Sequence, residues 1–182
     1  ALKRYQTYLL TLLEKEQGGE ELNKVPKTTE KFELLPLAKT AQEAGNGQAH
    51  VVACGLFDAE GTQVELVEPG LSYTFAYRVV FEKKEDDLIA GITVKNRLGA
   101  EIFAMNSYML GITANAEGDT CEYRFSFVMP PLNEGEYTIS PAVASGTYRG
   151  HIQLCWTHDA WIFKVPKRPF PIPGTLYMGK DF

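Results

Sequence analysis

The chain has little of what most catalytic, metal-binding and membrane signatures require. Of its 182 residues, three are cysteine (Cys54, Cys121, Cys155) and three are histidine (His50, His151, His158). An odd cysteine count without close spacing argues against a disulfide framework or a zinc knuckle. Each cysteine falls in a strand-like run and reads as a buried reduced thiol, which fits a reducing compartment. No run reaches the roughly 18–20 apolar residues that a membrane span needs. The N-terminus lacks the shape of a secretory signal, and a chain starting without Met is expected to be a piece of a longer protein. No Lys/Arg block stands out: 18 basic residues against 23 acidic leave a net charge of −5. A nucleic-acid binder needs a basic stripe for phosphates, so nucleic acid is not an expected partner. The motifs GxxxxGK(S/T), GxSxG and HExxH are all missing. Glu85-Asp86-Asp87 and the Glu134/Glu136 pair sit in turns and read as solvated acids. An enzyme is therefore not the expected reading, and no catalytic residue, metal or cofactor is assigned.

What is present is strand grammar. Aromatics make up 12% of the chain, beside ordinary hydrophobic and charged fractions of 45% and 23%; that weight of rings suits packed sheets and flat ligand faces alike. The length allows one domain plus an appendage. Residues 1–17 supply a connector helix. Leu2, Tyr5, Leu9 and Leu12 recur at helical spacing, Leu10 and Leu13 widen the stripe, and Gly18-Gly19 stops it. Its apolar face must pack on its own domain, a neighbouring one or a second copy. Residues 18–47 lose periodicity, are rich in Glu and Lys, and read as a linker.

From Gln48 onward short strands alternate with turn signals. The expected spans are 48–57, 62–67 and 71–82, a hairpin over 88–109, then 121–129, 136–145, and 151–165 as one strand or a pair bent near His158-Asp159. The clearest is 71–82. Its odd positions hold Leu71, Tyr73, Phe75, Tyr77, Val79 and Phe81, and its even positions include Ser72, Thr74, Arg78 and Glu82; this is a period of two with one buried face. The hairpin aligns Leu88, Ala90, Ile92 and Val94, turns at Asn96-Arg97-Leu98-Gly99, and resumes with Ile102, Phe103 and Met105. Residues 146–150 read as a loop. His151 and His158, seven apart, fall on opposite faces of a regular strand and meet only if it bends. Pro166, Pro169, Pro171 and Pro173 form a hinge before a terminal strand at 175–178. Without βαβ alternation, the fold is an all-β antiparallel sandwich over residues 48–165.

The hairpin also carries a resemblance. GITVKNRLG (91–99) followed by EIFAMNS (101–107) is similar to a family signature of apolar strand, glycine turn and strand ending in Asn-Ser/Thr. Glu68-Pro69-Gly70 before the long alternating strand, Leu132-Asn133-Glu134-Gly135-Glu136-Tyr137, and the aromatic run from Trp156 to Val165 follow in the same order. Together they resemble the C-terminal domain of Wzt, the nucleotide-binding subunit of ABC transporters that export O-antigen polysaccharide, and the details are closest to the form serving a polymannose O antigen. The resemblance implies an immunoglobulin-like β-sandwich that binds the exported glycan near its terminus and confers specificity on the exporter. It implies a homodimer, with the ATPase domain and membrane subunit of the transporter as further partners. It places the domain in the cytoplasm, peripheral to the inner membrane. It also implies that the terminal strand can be swapped between dimer partners. The family's ATPase domain does not occur in this sequence.

Sugar sites combine aromatic faces with planar polar groups. Tyr73, Tyr77, Tyr123 and Phe125 lie on inward files and read as core, and Trp161 packs with Phe163 and Val165. The ligand candidates are residues that break those files: Trp156, beside His158, with Tyr148 and Arg149 in the preceding loop, and His151 and Gln153 sharing a face. Arg78, Arg124 and Ser140, outward on three other strands, are expected as the floor of a concave sheet. Asn106 and Tyr108 complete the set. Two other readings remain open: a dimerisation or protein-interaction module without a ligand, and an extracellular lectin-like or hydrolytic domain.

Overall fold

A computed structural model describes residues 32–39, 41–116, 119–167 and 174–176. The expected helix over 1–17, the expected hinge at Pro169, Pro171 and Pro173, and positions 177–178 of the expected terminal strand lie outside those residues; Leu176 makes a single bridge to Leu132. In chain order the strands are β1 (Leu35–Pro36), β2 (Gln42–Ala44), β3 (Ala49–Phe57), β4 (Ser72–Phe81), β5 (Leu88–Asn96), β6 (Glu101–Asn106), β7 (Thr120–Val128), β8 (Gly135–Thr147), β9 (Gly150–His158) and β10 (Trp161–Val165). They form two antiparallel sheets, an immunoglobulin-like sandwich. The four-stranded sheet runs β1-β3-β4-β7. The six-stranded sheet runs β2-β9-β8-β5-β6, with β10 on the N-terminal half of β8 and β9 on its C-terminal half.

The alternating files explain why these segments become strands. Leu56, Phe75, Tyr77, Val79, Ile92, Val94, Ile139, Val143, Leu154 and Phe163 point between the sheets and are at most 2% exposed. Burying a side chain of this size contributes about 1.5–3 kcal/mol. Trp161, Phe163 and Val165 are buried together in the same core.

The structure differs from the sequence reading in four places. Residues 62–67 do not form a strand. The Asp58 carboxylate accepts from Glu60 N and Thr62 N and fixes a tight turn, after which Gln63 and Leu66 make single bridges to Phe57 and Lys164. Leu71 leaves the inward file, standing 53% exposed just ahead of β4. The loop expected over 146–150 shortens to Tyr148-Arg149, because Gly146 and Thr147 still pair with His151 and Gly150. The described part of the expected linker is folded into the sandwich. β1 pairs with β3 and β2 with β9, while the Phe32 ring stacks 4.2 Å from Phe57. The compact unit accordingly begins at Phe32.

Candidate functional site

The outer face of the six-stranded sheet has a hollow where its strands carry small residues. Register sets Gly91 beside Ala142 and Asn106, and Thr93 beside Ser140 and Ala104. Ala142 in turn pairs with Trp156, and Ala144 with Gln153. Gly91, Ala104, Ala142 and Ala144 are too small to fill their face. Trp156, Gln153, His151, Tyr148 and Asn106 stand around them, enclosing about 170 Å³. Enclosed sites for small molecules run from roughly 300 to 1,000 Å³. A smaller, open trough suits a ligand that lies along the sheet.

A bulge assembles the trough. β8 and β9 pair at Val143–Cys155 and next at Ala144–Gln153, so Leu154 is an extra residue on β9. Leu154 and Cys155 both turn into the core, at 1% and 0% exposure. The parity of β9 therefore reverses between Gln153 and Trp156, and His151, Gln153 and Trp156 all line one trough. The bend that would bring the His151 and His158 ends of this strand onto one face is this bulge. Gln153 also closes it: Nε2 donates to Val143 O at 2.9 Å and to Cys155 O at 2.7 Å. With both its donor hydrogens used, Gln153 has only its carbonyl oxygen left to accept from a ligand.

Other side chains are half-committed in the same way. His151 Nδ1 lies 3.2 Å from Tyr148 O. A carbonyl only accepts, so Nδ1 carries the hydrogen and Nε2 is the ring nitrogen left for a ligand. Asn106 Oδ1 accepts from Met109 N at 2.8 Å, which leaves its amide nitrogen as the group it can offer. The Trp156 ring is flanked by His158, 4.9 Å away, and by Lys95 Nζ at 5.2 Å from its centroid. At one end Tyr108 and Tyr148 stack at 4.9 Å and 11°, linking the segment after β6 to the β8–β9 turn.

Trp156, Tyr148, His151, Gln153 and Asn106 thus meet around one trough, with His158 and Tyr108 in contact with its walls. Arg149 is exposed at the β8–β9 turn beside Tyr148. The expected floor of Arg78, Arg124 and Ser140 does not form. Arg78 and Arg124 belong to β4 and β7 of the opposite sheet, where both pair with Glu122, at 3.2 and 2.8 Å, and Arg124 lies over the Phe32 ring. Ser140 is on the correct sheet but fully buried at the seam where β9 gives way to β10, and its Oγ accepts from Asp159 N at 3.1 Å. The floor of this trough is instead Gly91 with three alanines; the signal for it in the sequence is the glycine inside an apolar strand, a sign of close approach. A second hollow of about 250 Å³ lies between the sheets behind residues 107–115, bordered by Arg124 but by none of the trough residues.

Two of the three thiols are held protonated by the core. Burial pushes the Cys54 and Cys155 thiols up to about 12. Burial also holds the Tyr77 phenol well above its usual range. Clusters of three or more His, Cys, Asp or Glu able to hold a metal do not occur among the described residues.

Comparison with known proteins fits this architecture. A family model described as the Wzt C-terminal domain matches residues 40–178. A solved structure described as "Crystal structure of the C-terminal domain of wzt" superposes with a TM-score of 0.69 at 23% sequence identity, covering 81% of this chain and 91% of that one. At that identity the likeness establishes the fold. No curated protein matches the chain.

Proposed function

We propose that this chain, which belongs to the Wzt C-terminal domain family, binds an O-antigen polysaccharide near its terminus and so gives an ABC exporter its substrate specificity. The observation that carries this reading is the trough on the six-stranded sheet. Its floor of Gly91, Ala104, Ala142 and Ala144 admits a flat ring, Trp156 offers an apolar face, and Gln153, His151 and Asn106 offer one free hydrogen-bonding group each. A pyranose has that complement: an apolar C–H face and a rim of hydroxyls that both donate and accept. The role is binding, without catalysis. It would be carried out in the cytoplasm at the inner membrane, in a homodimer alongside the ATPase domain and membrane subunit of the exporter. Open, wet sites gain little per hydroxyl, because each bond replaces one to water. Two copies engaging one polymer would add avidity.

Isothermal titration tests the reading. Polymannose O polysaccharide, the glycan suggested by the sequence resemblance, is titrated into the chain in parallel with O polysaccharides of other backbones. Saturable heat with one of them, reduced in Trp156→Ala, supports the proposal. Absence of heat with every O polysaccharide tried, from a chain that is dimeric in solution, would favour a dimerisation module with no ligand of its own.

A further inference from the structure

The trough floor of Gly91, Ala104, Ala142 and Ala144 carries nothing larger than a methyl group, so no floor side chain ties down its own backbone from the solvent side. Beyond the strand ladder, a contact from beneath holds it. Tyr77, on the inner face of the opposite sheet, spans the core and places its hydroxyl 3.1 Å from Gly91 N, 3.2 Å from Gly91 O and 3.0 Å from Ala142 O. It accepts from the Gly91 amide and has one proton to donate to a carbonyl of the same strand pair. Gly91 and Ala142 are register partners and both line the trough. The ring that carries this hydroxyl is itself fixed, 6.1 Å from Phe75, 5.6 Å from Tyr123 and 6.2 Å from Phe125. Tyr77 is fully buried, and Gly91 is the floor residue with the most backbone freedom to lose.

We infer that Tyr77 is the positioning residue of the ligand trough: its hydroxyl pins the Gly91–Ala142 pair from the core side and so sets the depth of the floor. The inference rests on reading the trough as the glycan site. Tyr77 does not touch the ligand and acts through two backbone segments.

Tyr73 supplies the control. It lies near the start of the same strand, is equally a core tyrosine, and its hydroxyl accepts from Glu68 N at 2.9 Å, away from the trough. Tyr77→Phe and Tyr73→Phe are compared with the unaltered chain by thermal melting and by titration with the O polysaccharide that binds the unaltered chain. Both variants are expected to melt at lower temperature, but only Tyr77→Phe loses affinity, by fivefold or more. Unchanged affinity in a folded Tyr77→Phe overturns the inference and leaves the glycan reading standing. If the unaltered chain binds no glycan, the reading itself fails, and the inference with it. Hydrogen exchange in the unaltered chain keeps the test open should Tyr77→Phe not fold. Glycan should slow exchange of the Gly91 amide at least fivefold and leave that of Glu68 unchanged, and equal slowing or none at both sites counts against the inference.

Discussion

Trp156 is the largest side chain lining the trough and is only half-buried, a combination more useful to a ligand than to the core. Replacing it with alanine is expected to weaken glycan binding at least tenfold, about 1.4 kcal/mol. The melting temperature should fall by only a few degrees, because Trp161, at 7% exposure, is the tryptophan that belongs to the core. Calorimetric titration and a thermal melt on the same sample check both halves. Gly91 makes the opposite case. A Cβ there would lie 2.9 Å from Met105 O and 3.0 Å from Asn106 Cβ, so Gly91→Ala must push β6 aside. Crowding of that kind costs about 1–3 kcal/mol, and a lower urea midpoint should accompany the loss of binding.

Strands were legible in the sequence wherever one face is buried. The Tyr73–Phe81 file and the Leu88–Val94 file are read directly, because a one-residue slip would expose every apolar group they contain. The trough was legible only in part. His151 and Gln153 share a face by simple parity, but Trp156 joins them only through the bulge at Leu154, and no residue type at that point announces one extra residue. Ser140 illustrates the same limit. Its outward parity is correct, yet the β9–β10 corner at Asp159, with φ of 54°, folds over it. Ser140→Ala would leave the Asp159 amide without its acceptor at a buried seam, at a cost of about 1–2 kcal/mol. Chemical denaturation should show that loss with glycan affinity little changed, since Ser140 does not line the trough.

At the scale of the whole domain, the short strands β1 and β2 matter beyond their length, because they cover sheet edges and bring Phe32 onto Phe57. A chain starting at Gln48 should melt about 3 °C or more below one starting at Phe32, the shift expected when roughly 1 kcal/mol is lost from a domain of this size. The buried thiols give a second global property. Cys54 and Cys155 ionise near 9.0 when unfolded and near 12 when folded. Between those values the unfolded chain holds fewer protons, so stability is intact below pH 9 and falls as pH rises, by about 1.4 kcal/mol per pH unit per thiol. Urea midpoints from pH 8 to pH 11 should trace that decline, and a flat profile would mean the thiols are not held as described. The central claim is that glycan occupies the trough on the six-stranded sheet, and the two tryptophans of the chain make it directly visible. In a ¹H–¹⁵N spectrum each indole gives one side-chain resonance. Titration with a binding O polysaccharide should move the Trp156 resonance and leave that of Trp161, buried in the core, in place; binding that leaves the Trp156 resonance unmoved would contradict the account.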